Sequence, residues 1–159
     1  MAIVLLGIGS NLGDRQANID KAVSLLKEIP DVQLLSLSAL IETKPEGGPR
    51  QGDFLNGALK IETDLLPLEL LSKLKGIERR LGRVKQEPSG PRPVDLDILF
   101  YDDVVIVDGK SLTIPHPRLH EREFVLKPLL EIAPDFIHPR LGKSVKELYD
   151  ENVSKFRSA

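Results

Sequence analysis

Val94-Asp-Leu-Asp-Ile-Leu-Phe-Tyr101 is apolar apart from two aspartates spaced two residues apart, and it follows Gly90-Pro91-Arg92-Pro93. An apolar run of this length bounded by Gly and Pro predicts a buried strand. Residues at i and i+2 on a strand face the same way, with alpha carbons about 6.5–7 Å apart. Asp95 and Asp97 thus share one face, where two carboxylates repel and are poorly solvated unless a cation or basic partner lies between them. Oxygen ligands of this kind suit Mg2+, which takes the rest of its shell from water and phosphate oxygens.

The elements on either side of this strand predict the fold. Residues 2–8 form an apolar run that reads as a buried strand, with Gly7 and Gly9 suited to a following turn. After Gly13, the residues Ile19, Ala22, Val23, Leu26 and Ile29 recur at helical spacing, and Pro30 stops that helix. Strands are expected over residues 32–41 and over Phe54–Thr63. Pro67 suits the first turn of a second helix carrying Leu70, Leu74, Ile77 and Glu78. Asp108-Gly109 marks a hairpin turn, a helical region follows over residues 118–132, and a last helix is expected to begin near Ser144. The core order is strand, helix, strand, strand, helix, strand. It predicts an α+β ferredoxin-like sandwich with a mainly antiparallel sheet, helices packed on it, and a single domain over residues 1–159. Two long polar connections, residues 44–53 and 84–93, read as active-site loops.

Composition narrows the function classes. The 159 residues are 41% hydrophobic and 29% charged, which is globular composition. There is no cysteine, which excludes disulfides and thiolate chemistry. The net charge of −2 argues against a nucleic-acid partner, and apolar runs too short to span a bilayer argue against a membrane one. With no basic, apolar leader at the N-terminus, a cytoplasmic location is expected.

Basic residues collect beside the acid pair. Arg79 and Arg80 read as a solvated helix face. Arg83, Lys85 and Arg92 lie on the second polar connection, where arginine forks onto phosphate oxygens. Ile114-Pro115-His116-Pro117, with Arg122 and Phe124 beyond, places an imidazole and a guanidinium after the hairpin, and His116 reads as a nucleotide or phosphate contact. His120 and His138 read as structural. Phe54 and Asn56, with Thr43 ahead of the first connection, supply an aromatic face and an amide edge of the kind that reads a flat heterocycle. Gly7-Ile-Gly-Ser-Asn-Leu-Gly13 superficially matches a dinucleotide fingerprint. Asp14 would stand where a pyrophosphate must sit, so Ser10, Asn11 or Asp14 is better read as a helix cap.

Taken together, Gly90-Pro-Arg-Pro-Val-Asp-Leu-Asp-Ile-Leu99, Ile8-Gly-Ser-Asn-Leu-Gly13, Phe54-Leu-Asn56, Gly82-Arg-Val84 and Ile114-Pro-His-Pro117 resemble the 6-hydroxymethyl-7,8-dihydropterin pyrophosphokinase family of folate biosynthesis. The resemblance runs over nearly the whole chain. It implies transfer of pyrophosphate from ATP to the hydroxymethyl group of the pterin, with release of AMP and dependence on two Mg2+ ions held by Asp95 and Asp97. It further implies catalytic roles for Arg83 and Arg92. ATP contacts would come from Glu78, Arg83, Lys85, Arg92, Ile98, His116 and Arg122. Pterin contacts would come from Thr43, Lys44, Pro45, Phe54, Asn56, Asp95 and Phe124. Two other classes use some of the same parts. A nucleotidyltransferase would release pyrophosphate instead of AMP, and a ligand-binding regulatory module of the same fold would not need the acid pair beside Arg92.

Overall fold

A computed structural model describes residues 1–44, 52–82, 93–108 and 112–157. The two polar connections and the hairpin tip at Gly109 fall largely outside those residues, and Pro45, Arg83, Lys85 and Arg92 lie wholly outside them.

The sheet runs β2 (Val32–Leu37), β4 (Phe54–Thr63), β1 (Ala2–Ser10), β5 (Asp95–Tyr101), with a short β3 (Ile41–Thr43) also paired to β4. All of these pairings are antiparallel. With α1 (Arg15–Lys27) between β1 and β2 and α2 (Pro67–Arg80) between β4 and β5, this is the expected ferredoxin-like order. A separate hairpin joins β6 (Ile106–Asp108) to β7 (Leu112–Ile114), and α3 (Glu123–Ile132) and α4 (Val145–Arg157) follow.

Alternation along the strands produces two cores. Val4, Leu6, Ile8, Leu59, Ile61, Leu96 and Ile98 pack with Ile19 and Leu26 of α1 and with Leu70, Leu74 and Ile77 of α2. Leu5, Ala58, Leu99 and Phe100 pack with Leu126 and Leu129 of α3 and with Val145 and Leu148 of α4. The sheet is therefore covered on both faces. Among the described residues no helix is long and apolar enough to cross a membrane.

Local chemistry explains the element ends. Asp14 Oδ1 accepts the Ala17 N–H at 3.0 Å, so of the three candidate residues Asp14 is the cap of α1. Pro67 opens α2, and Glu69 reaches back to the Leu66 N–H at 2.9 Å.

Three expectations are corrected. Residues 32–41 do not form one strand: β2 stops at Leu37 and β3 starts at Ile41. Between them the Ser38 hydroxyl accepts the Ala58 N–H at 2.8 Å, replacing a ladder partner, and a β-carbon on Gly57 would lie 2.6 Å from the Leu40 side chain. The chain thus bends over the bare Gly57. Residues 118–132 are likewise divided, because Arg122 is extended (φ −119°, ψ 116°) between a 3-10 turn at Leu119–Glu121 and α3. Gly7 and Gly9 do not belong to a turn, since β1 continues through both of them to Ser10.

Candidate active site

The register places the two glycines opposite the two acids. Gly9 pairs with Asp95 on one side and Asn56 on the other, and Gly7 pairs with Asp97 and Ala58. Directly paired residues of an antiparallel ladder project to the same face. Asn56 and Asp95 therefore flank a lane of sheet that carries only hydrogen at its centre, on the face that α3 and α4 cover further along. Two strand spacings, roughly 10 Å, separate their backbones. Both aspartates are half-buried, and Leu96 between them is buried in the opposite core.

Gly9 has a specific steric reason. A β-carbon there would stand 2.5 Å from Asn56 Oδ1 and 3.5 Å from Phe54 Cδ1. The Asn56 amide is buried, and its Nδ2 donates to the Thr43 hydroxyl at 2.6 Å, which fixes how the amide is presented. Phe54 lies two residues before Asn56 on the same face, and its backbone pairs with that of Thr43. Lys44 is exposed immediately beyond β3.

A bulge carries His116 to the other side of this lane. The β1–β5 register shifts between Leu5 and Leu6, and the Leu99 carbonyl accepts the His116 N–H at 3.1 Å. Burial lowers the pKa of His116, helped by the nearby Arg122 and Arg118 guanidiniums, while Asp95 opposes the shift. His116 is thus held neutral near pH 7 within electrostatic reach of both Asp95 and Arg122. Its Nδ1 is buried and makes no hydrogen bond among the described residues. The Arg122 guanidinium carbon lies 5.5 Å from the centroid of Phe124, which sits in the first turn of α3.

Glu78 is buried, with 1% of its surface exposed, and its Oε2 accepts the Leu96 N–H at 2.8 Å. Its other oxygen pairs with Lys75 Nζ at 3.2 Å. It thus grips β5 between the two aspartates. Ile98 is buried in the core shared with α1 and α2, on the opposite face from Asp95 and Asp97. His138 has a structural task. Its Nδ1 accepts the N–H groups of Arg140 and Leu141, each at 3.1 Å, in the turn before α4.

The donor set fits magnesium. Two half-buried carboxylates share one strand face, and among the described residues no group of three His, Asp or Glu forms a closed cage. An open pair of this kind leaves coordination positions for water and phosphate.

Sequence reasoning passed over Arg15 and Glu42, and it read Asn11 only as a candidate helix cap. Arg15 at the start of α1 ion-pairs with Glu42 of β3 and donates to the Asp53 carbonyl at 3.1 Å. Asn11 Nδ2 donates to the Gly52 carbonyl at 3.3 Å. The only local signal was a cation in the first turn of a helix, against the macrodipole.

Comparison with known proteins places this geometry. Residues 5–134 match the family described as 7,8-dihydro-6-hydroxymethylpterin-pyrophosphokinase. The chain is 47% identical over 155 residues to 2-amino-4-hydroxy-6-hydroxymethyldihydropteridine pyrophosphokinase of Aquifex aeolicus, covering 98% of this chain and 95% of that one. It is 44% identical to the folic acid synthesis protein fol1 of Schizosaccharomyces pombe, covering 96% of this chain but only 21% of that protein. The crystal structure of wild-type Plasmodium falciparum HPPK-DHPS superposes with a TM-score of 0.77 at 17% identity, over 99% of this chain and 46% of that one, which is a likeness of fold. Family match and identity agree: the chain belongs to the 7,8-dihydro-6-hydroxymethylpterin-pyrophosphokinase family.

Proposed function

We propose that the lane between Asn56 and Asp95 is where this chain transfers pyrophosphate from ATP to 6-hydroxymethyl-7,8-dihydropterin, and that the described and undescribed residues form one domain. The observation that supports the assignment is the pairing of Gly9 with Asn56 on one side and Asp95 on the other, which sets a position without a side chain between the buried amide and the two half-buried acids. Phe54 and Phe124 offer aromatic faces to the pterin, while Asn56, its amide fixed by Thr43, meets the polar edge of the ring. His116 and Arg122 hold the nucleotide phosphates, and Arg83, Lys85 and Arg92 add positive charge from the adjoining connection. Glu78 keeps β5 in place beneath the acids.

Asp95 and Asp97 would hold two Mg2+ ions. There the ions would supply charge neutralisation to phosphate oxygens. The hydroxymethyl oxygen forms a bond to the β-phosphorus, the bond from the β-phosphorus to the oxygen it shares with the α-phosphate breaks so that this oxygen leaves with AMP, and the hydroxyl proton passes to solvent water. The substrate itself supplies the nucleophile, so the protein's work is alignment and charge stabilisation.

Chromatography of the products after incubation with ATP, Mg2+ and the pterin alcohol tests this reading. AMP and the pterin diphosphate, formed in equal amounts, are expected. Release of ADP or of free pyrophosphate would refute it.

A further inference from the structure

The connection between β3 and β4 is held at both ends by one short piece of chain. Arg15 spans the gap: one arm of the guanidinium ion-pairs with Glu42, and the other donates to the Asp53 carbonyl at 3.1 Å. Asn11 adds a hydrogen bond to the Gly52 carbonyl at 3.3 Å. Asn11 stands in the turn from β1 into α1 and Arg15 opens α1, whose N-terminus Asp14 caps. Glu42 and Asp53 are the immediate neighbours of Thr43 and Phe54, which pair with each other in the ladder. Arg15 therefore fixes the two stems that present Thr43 to Asn56 and set Phe54 at the start of β4.

The local helix does not ask for this residue. Arg15 is the first residue of α1, whose first turn contains no acid, so its charge opposes the helix dipole. A residue that runs against its local preference is expected where a contact elsewhere or a function compensates. Packing is a weak reason too, since the Arg15 side chain is 31% exposed and that of Glu42 is 61% exposed. What the pair does is geometric: it ties two segments 27 and 38 residues away in sequence to one point.

We propose that Arg15 is a positioning residue for the pterin, setting pterin affinity through Glu42 and Asp53 without contacting the ring. This rests on assigning Thr43, Phe54 and Asn56 to the pterin. It separates the two substrates, because the nucleotide side of the lane is built from β5, α3 and the segment around His116, which Arg15 does not touch in any described contact.

The test is calorimetric titration of 6-hydroxymethylpterin in the presence of Mg2+ and α,β-methylene-ATP, alongside titration of the nucleotide analogue alone and steady-state kinetics. Arg15→Ala is expected to raise the pterin Kd and KM about five- to tenfold, the scale of one exposed ion pair with one charged hydrogen bond. Its kcat should stay within about threefold and its nucleotide Kd within about twofold. Arg15→Lys and Glu42→Gln are gentler changes and should each weaken the pterin about threefold, with melting temperatures near wild type. The double variant Arg15→Ala with Glu42→Gln should bind the pterin no worse than Arg15→Ala, because the two residues act through one contact. Unchanged pterin affinity in Arg15→Lys and Glu42→Gln would overturn the inference. So would equal losses of pterin and nucleotide binding that track a fall in melting temperature. Asn56→Ala serves as the reference: if it weakens the pterin while the Arg15 variants do not, the pocket stands and the positioning role fails. If Asn56→Ala leaves the pterin unaffected, the pocket assignment itself fails and the inference with it.

Discussion

The carboxylate of Glu78 accepts the backbone N–H of Leu96 at 2.8 Å, and Leu96 is the residue between Asp95 and Asp97. A side chain from α2 thereby holds the strand at the point where its two acids diverge from the core. Glu78→Ala would leave that buried N–H without its acceptor, a loss of about 1–3 kcal/mol in stability. Glu78→Gln retains an oxygen for Leu96 and gives up the charge opposite Lys75, so it should recover most of that stability. Urea denaturation of the two variants measures the difference. Equal stability of both with wild type would show that the contact does not hold the strand.

Gly9 and Gly7 should differ in what they tolerate. A β-carbon on Gly9 meets Asn56 Oδ1 at 2.5 Å, while the nearest atoms to one on Gly7 belong to the Leu99 side chain, at an ordinary 3.6 Å. Gly9→Ala must displace the buried Asn56 amide, at a cost of about 1–3 kcal/mol, and should raise the pterin KM about tenfold or more. Gly7→Ala should melt close to wild type. Thermal melts with pterin saturation curves check both, and a Gly9→Ala variant with normal pterin KM would contradict the role given to Asn56.

Acid should weaken the fold through two histidines. Burial lowers the pKa of His116 and of His138, with His120 and Arg140 adding to the effect at His138. In the unfolded chain each titrates near the ordinary value of about 6.5. Between that value and the lower folded one the unfolded state binds more protons, so stability is full above about pH 6.5 and declines as the pH falls below it. The slope cannot exceed about 1.4 kcal/mol per pH unit for each histidine. His138→Ala loses the acceptor for two backbone N–H groups, so it should be less stable at pH 7.5 and show a flatter slope from pH 6.5 to 5.5. Denaturation across that range measures it, and an unchanged slope would contradict the assignment.

His116 should report the nucleotide directly. Its pKa is low in the free protein partly because Arg122 and Arg118 are nearby. Triphosphate bound between them would offset that positive charge and raise the pKa. A proton NMR titration should move the His116 midpoint upward when Mg2+ and a non-hydrolysable ATP analogue are added. No movement would place the phosphates elsewhere.

Much of this was legible in the chain because burial alternates with the period of the element. Most apolar positions of β1, β4 and β5 and the helical spacing of Ile19, Leu26, Leu70 and Leu74 reappear in the two cores. The acid pair was legible because i and i+2 share a face whatever the strand's neighbours are. What stayed hidden depends on residues distant in sequence. The break at residues 38–40 answers to Ala58 and Gly57 on another strand. Gly7 and Gly9 imitate a turn, and their value as bare ladder positions follows only from pairing on both sides. Arg15 and Glu42 are 27 residues apart, and neither announces the other.

Turnover of Asp97→Asn at saturating MgATP and pterin, measured beside its melting curve, tests the acid pair most directly. If Asp95 and Asp97 together hold the cation-bound triphosphate, AMP formation should fall at least about a hundredfold, or about 2.7 kcal/mol of transition-state stabilisation. The melting temperature should hold or rise, because one of two like charges sharing a strand face has been removed. A folded Asp97→Asn enzyme that forms AMP within tenfold of the wild-type rate would contradict the assignment of catalysis to that face of β5.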